Sequence, residues 1–167
     1  DAMPNTPDPT TNGTSPFCEG TAISMSVSNS GANSVEWFSD ASFNNLITTG
    51  TSLDSVATIT GINTFYVRYT SLAGCTNNSS ISYEVIENGF LIVPDDMTIC
   101  EGDIAMIIVS SSDSINWGSG NVGIGDTLFI SPTTDTLLSV SMTGSCGVIS
   151  ETINVTVAPI PNVDSVS

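Results

Sequence analysis

Four cysteines carry most of the chemistry open to this sequence: Cys18, Cys75, Cys100 and Cys146. Histidine is absent, which removes the commonest zinc ligand and the commonest general base. A zinc site would need closely spaced Cys or His pairs, and no Cys-x-x-Cys occurs. An even number of widely spaced cysteines points instead to disulfides, with a zinc site as the alternative. Four cysteines allow three pairings. Cys18 with Cys75 and Cys100 with Cys146 is the pairing expected here, because it lets each of two repeats fold as a unit. Each bridge would contribute roughly 2–4 kcal/mol and implies an oxidising compartment.

The acidic groups are many and the basic ones almost lacking: 17 Asp and Glu against one Lys or Arg, for a formal charge of −16 over 167 residues. The single cation is Arg68. A nucleic-acid binder replaces phosphate counterions with Lys and Arg, so no nucleic-acid partner is expected. An anionic membrane surface is disfavoured for the same reason, and no apolar run nears the ~18 residues of a membrane span. Acyl-transfer catalysis needs a base beside its nucleophile. A glycosidase needs two carboxylates set in a cleft, and nothing singles out a pair. No enzyme activity and no resident cofactor are expected. Calcium is the one metal to weigh, since it takes oxygen ligands. Glu84, Glu87, Asp95 and Asp96 lie near the midpoint of the chain, with Asp103 close by. Their spacing fits no calcium loop, and the plainer reading is a solvated acidic junction.

The elements that must position these groups recur. Cys18-Glu19-Gly20 returns as Cys100-Glu101-Gly102. Trp37 and Trp117 follow at similar distances, and Ala73-Gly74-Cys75 is matched by Gly144-Ser145-Cys146. Four landmarks in the same order indicate two homologous domains. Hydrophobic residues alternate at period two, as in Ile23, Met25 and Val27; Phe65, Val67 and Tyr69; Ile81, Tyr83 and Val85; Leu138 and Val140; Ile153, Val155 and Val157. Ala57 and Ile59 alternate in the same way. Gly, Asn, Ser and Pro clusters separate these runs. The expected fold is all-β: two tandem immunoglobulin-like antiparallel sandwiches of about seven strands, each with one disulfide pinning the start of its second strand to the last hairpin. The expected boundaries are a linker or edge strand over 1–16, domain 1 over 17–89, domain 2 over 90–158, and a linker over 159–167. Ala158-Pro159-Ile160-Pro161-Asn162 echoes Ala2-Met3-Pro4-Asn5, so a further repeat is expected to follow.

Strand phase adds two expectations. Glu36 and Arg68 both point outward from neighbouring strands, which suggests a cross-strand ion pair beside the plainer reading of a solvated Arg68. Ile104, Met106 and Ile108 occupy an outward phase where the first domain has Ala22, Ser24 and Ser26. They form a candidate interface, unless a loop of their own domain covers them.

The hydrophobic-Cys-Glu-Gly motif, the alternating strand, the Trp, the run Ser131-Pro132-Thr133-Thr134-Asp135-Thr136, and Gly-x-Cys before a Val-rich last strand together resemble a known family. They are similar to the Ig-like repeats of Bacteroidota cell-surface proteins, including SprB-type gliding-motility adhesins and other type IX-secreted proteins. The resemblance runs from about Cys18 to Val157. It implies an extracellular, cell-surface location and a non-catalytic stalk or extender role. It also implies neighbouring repeats of the same chain as partners, with a surface polysaccharide or other cell-surface ligand as a further partner. O-glycosylation at Asp-(Ser/Thr)-apolar motifs follows too, at Ser55, Ser114, Thr127, Thr136 and Ser165. Against this, Asp, Ser and Thr are ordinary turn residues before β-branched strands. The alternative function is a ligand- or carbohydrate-binding accessory module of a secreted enzyme, for which Phe38, Phe43 and Tyr66 are the available aromatics.

Overall fold

The structure is a computed structural model that describes residues 3–28, 31–118 and 125–161. Ser165, Ala2 and most of the 159–167 linker lie outside the described residues. The chain divides into two compact units, Asp1–Glu87 and Asn88–Ser167. Among the described residues every regular element is a strand.

Unit 1 contains β1 (Thr10–Thr11), β2 (Phe17–Cys18), β3 (Ala22–Ser26), β4 (Ser34–Phe38), β5 (Leu46–Thr49), β6 (Ser52–Val56), β7 (Gly61–Thr70) and β8 (Thr76–Ile86). They form two sheets, β1-β3-β6 and β2-β8-β7-β4-β5. Alternation places Ile23, Met25, Val35, Trp37, Val67, Tyr69, Tyr83 and Val85 between the sheets, all buried. Burying one such side chain contributes about 1.5–3 kcal/mol, which is why the period-two pattern dictates the layering.

Unit 2 contains β9 (Leu91–Ile92), β10 (Met97–Cys100), β11 (Ala105–Ile108), β12 (Ser110–Ser111), β13 (Ile115–Trp117), β14 (Thr127–Ile130), β15 (Thr136–Gly144) and β16 (Gly147–Ala158). The main sheet is β10-β16-β15-β13, faced by the pairs β11-β14 and β9-β12. Ile107, Val109, Trp117, Leu128, Leu138, Val140, Ile153 and Val155 fill the core. Each unit is thus a β-sandwich, and the all-β, two-domain fold holds.

Three expectations need correction. The sandwiches are not purely antiparallel, since β2 runs parallel to β8 and β10 parallel to β16. Ala57 and Ile59 do not form a strand. Ala57 is buried just beyond β6, which ends at Val56, while Ile59 is 68 % exposed in the connection to β7.

The third correction concerns the disulfides. Cys75 and Cys100 are free thiols, whereas Cys18 and Cys146 are disulfide-bonded. The expected bridges Cys18–Cys75 and Cys100–Cys146 are therefore not formed, and strand length explains why. Cys18 is in register with Ile86, the last residue of β8, while Cys75 precedes its first residue, Thr76. At ~3.3 Å per residue that puts the two cysteines roughly 35 Å apart, against the ~4–7 Å between Cα atoms that a disulfide spans. In unit 2 Cys100 is in register with Ala158, the last residue of β16, and Cys146 precedes its first residue, Gly147. The same reasoning separates them by roughly 40 Å.

Candidate functional site

The repeated Cys-Glu-Gly tripeptide is a turn that carries a cysteine to one end of each sandwich. Cys18 closes β2, and its carbonyl accepts the N–H of Thr21 at 3.0 Å. Gly20 takes φ +86°, a left-handed value that glycine adopts without penalty. Together these make the turn into β3, with glycine where a type II turn needs positive φ. Glu19 extends the parallel ladder by donating its N–H to the Ile86 carbonyl at 3.0 Å. Unit 2 repeats every part. Asp103 N–H reaches the Cys100 carbonyl at 3.1 Å, Glu101 N–H reaches the Ala158 carbonyl at 2.9 Å, and Gly102 has φ +91°. Cys18 and Cys100 therefore sit where the last strand of their own unit ends, here termed the exit end.

The other two cysteines sit at the hairpin end. In unit 1 the loop between β7 and β8 is tied by Ser71, a buried residue. Its N–H donates to the Cys75 carbonyl at 2.8 Å, and its hydroxyl accepts the Cys75 N–H at 3.1 Å. The thiol is left exposed. The chain also enters unit 1 at this end: the Asn77 amide donates to the Pro4 carbonyl at 3.2 Å and the Thr6 hydroxyl at 3.0 Å. In unit 2 Cys146 lies in the tight hairpin closed by the Gly144–Gly147 pair. It shares the lining of a pocket of about 290 Å³ with Asn88 and Gly89, where unit 2 begins. Each unit thus carries one cysteine where its chain enters and one where it leaves.

A second cluster lies on the outer face of β4 and β7. Glu36 and Arg68 are register partners, and Arg68 donates from Nε and Nη2 to one Glu36 carboxylate oxygen at 3.1 and 3.0 Å. The guanidinium also lies 4.7 Å from the Phe38 ring centre and 5.6 Å from that of Phe43. A loop ending before β5 folds over this face. The Asp40 carboxylate accepts the N–H groups of Asn44 and Asn45, the latter at 2.7 Å. Asp40 also takes the Phe43 N–H on its backbone carbonyl. These contacts hold Phe43 at φ +56°, costly for a bulky residue, and its ring then packs edge-on against Phe38 and Tyr66, at interplanar angles of 79° and 74°. Asp40 carries no motif that sequence reasoning would select; its role depends on where the loop lands. A sugar platform presents an open ring face, whereas here Phe38 is buried and the rings turn their edges to one another.

The remaining candidates are scattered. Ser114 is exposed, while Ser55, Thr127 and Thr136 are half-buried. The Thr127 hydroxyl donates to Asp126 and the Thr136 hydroxyl to the Thr134 carbonyl. Ile104, Met106 and Ile108 are 70, 55 and 53 % exposed. Phe129, opposite Met106 across β11 and β14, is 61 % exposed and joins that face. Sequence reading missed Phe129, although its place in the outward phase of β14 beside Leu128 was available. Among the described residues no group of three or more Asp, Glu, Cys or His side chains is gathered as a metal site. Of the acids considered for calcium, Asp96 instead accepts the Asn154 N–H at 2.8 Å.

A family described as "Ig-like domain CHU_C associated" matches residues 4–88, half of the chain. No curated protein matches the chain. Among solved structures, the insect immune protein hemolin is similar at 12 % identity, with a TM-score of 0.57 over 95 % of this chain and 49 % of that one. The chain therefore spans about half of hemolin, and the likeness concerns the fold alone. Fibronectin(III)-like modules of Clostridium thermocellum CbhA align at 14 % identity over 91 % of this chain and 95 % of theirs, with a TM-score of 0.40. Murine CEACAM1b aligns at 15 % identity over 86 % of this chain and 95 % of its own, with a TM-score of 0.40.

Proposed function

The chain belongs to the family of CHU_C-associated Ig-like domains, and from that premise we propose that it is a non-catalytic stalk segment of a large secreted cell-surface adhesin of gliding-motility type. Ig-like domains are usually extracellular or cell-surface modules, and no described helix is long and apolar enough to cross a membrane. The observation that carries the reading is duplication: the same turn, parallel strand pair and indole anchor are built twice in tandem. Trp37 donates its ring N–H to the Gly50 carbonyl, and Trp117 to the Gly125 carbonyl, both at 3.1 Å. A sandwich repeated without change to its frame adds length, and its net charge of −16 discourages self-association.

Neighbouring repeats are then the main partners, export follows a type IX route, and a surface polysaccharide or other cell-surface ligand is met elsewhere in the adhesin. Ser114, the exposed hydroxyl of these Asp-Ser/Thr motifs among the described residues, is the first candidate for O-glycosylation, as a bulky glycan needs open surface. The alternative, a carbohydrate-binding accessory module, would have to use Phe43 and Tyr66. A glycan array separates the two. The stalk reading expects no hit, and a hit lost on Phe43→Ala would replace it with the accessory-module reading.

A further inference from the structure

Equivalent cysteines in the two units differ in oxidation state. Cys18 and Cys100 occupy the same turn at the exit end, yet Cys18 is disulfide-bonded and Cys100 is an exposed free thiol. Cys146 and Cys75 occupy the same hairpin end, yet Cys146 is disulfide-bonded and Cys75 is an exposed free thiol. At the exit end nothing local separates Cys18 from Cys100, because turn, register and glycine φ are repeated. At the hairpin end the loops differ, five residues between Thr70 and Thr76 against two between Gly144 and Gly147, but each sets its cysteine directly before the last strand of its unit. Nor can either thiol find a partner in its own sandwich, whose other cysteine lies a full strand length away. What these positions have in common is their end of the module: one where a preceding module would finish, the other where a following module would start.

We propose that Cys75 and Cys100 are inter-module disulfide positions. Cys75 takes the exit-end cysteine of a module before it, and Cys100 takes the hairpin-end cysteine of a module after it, each module being of this same construction. The inference rests on reading the chain as a segment of a tandem array. The chemistry is thiol–disulfide exchange with a dithiol oxidant in its disulfide form. One thiolate attacks that disulfide and forms a mixed disulfide, and the second thiolate displaces the oxidant. The oxidant leaves as a dithiol carrying both protons and both electrons. Each thiol is exposed, as this exchange requires.

The test is a doubled chain, two copies of the full sequence in one polypeptide, made in an oxidising compartment and compared with the single chain. Thiols are titrated with a chromogenic disulfide, and linked peptides are mapped by mass spectrometry without reduction. The single chain is expected to titrate the two thiols of Cys75 and Cys100. The doubled chain is expected to titrate the same number, with a new linked peptide joining Cys100 of the first copy to Cys75 of the second. Cys100→Ser in the first copy should then free Cys75 of the second, with tryptophan emission confirming that both copies are folded. Twice as many thiols in the doubled chain would overturn the proposal. So would a Cys75 that stays oxidised beside Cys100→Ser, or any Cys18–Cys75 or Cys100–Cys146 peptide. The glycan array reads the stalk assignment separately, so the two can fail independently.

Discussion

The two sandwiches agree on their inner faces and differ on their outer ones. Ile23, Met25 and Val27 of unit 1 are matched inside unit 2 by Ala105, Ile107 and Val109, all buried. Outside, Ser24 faces Asp54 across the β3–β6 pair, whereas Met106 faces Phe129 across β11–β14. The first strand contributes to this contrast. In unit 1, β1 pairs with the end of β3, Thr10 opposite Ser26. In unit 2, β9 pairs further along, with Ser110 and Ser111 of β12, and Ile108 is left 53 % exposed. Unit 1 also carries an outer cluster around Arg68 and Phe43, held by the loop before β5. The lesson is that the frame tolerates change on any surface that neither layer needs. Family likeness resides in the core and turns, and individuality in the outer faces.

The largest test of that comparison is removal of the indoles. Trp37→Ala and Trp117→Ala should each cost about 3–5 kcal/mol in their own unit, with the larger loss at Trp37, which is 0 % exposed against 8 % for Trp117. Denaturant melts followed by the remaining tryptophan should show the other unit melting as before; a shift of that unit would mean the frames are not independent.

The turn glycines come next. Gly20 and Gly102 have left-handed φ and no atom within 4 Å of an added Cβ, so alanine there costs backbone strain alone, about 1–3 kcal/mol. Gly20→Ala and Gly102→Ala should lower the stability of their units by equal amounts in calorimetry, and unequal losses would break the equivalence of the two turns.

A smaller effect separates the units at Arg68. A double-mutant cycle with Arg68→Met and Glu36→Gln should give a coupling of about 0.5–1 kcal/mol that shrinks in high salt, the range for a partly exposed pair. Coupling that salt leaves unchanged would point to the aromatic contacts rather than the charges. The smallest stability change is expected from Met106→Ser with Phe129→Ser, within about 0.5 kcal/mol as for surface sites, with reduced binding of a hydrophobic dye. A loss of several kcal/mol would show that this outer face supports the core.

Much of this was legible before any coordinates. Trp37, Val67 and Tyr69 are buried where alternation put them, and Arg68 meets Glu36 across the strands where phase alone aligned them. Ile104, Met106 and Ile108 are exposed as their phase implied. The Asp40 loop was not legible, because a left-handed Phe43 follows from hydrogen bonds among residues that share no pattern.

Alternation is local: each residue's side is set by its neighbours along the strand, so the strands, their inner faces and the duplicated frame were determined by the sequence alone. The cysteines were different. Which end of a sandwich each one reaches depends on β2 lying parallel to β8 and β10 parallel to β16, pairings between segments far apart in the chain. Only the tertiary structure decided that each unit's two cysteines stand a strand length apart, beyond the reach of a bond between them.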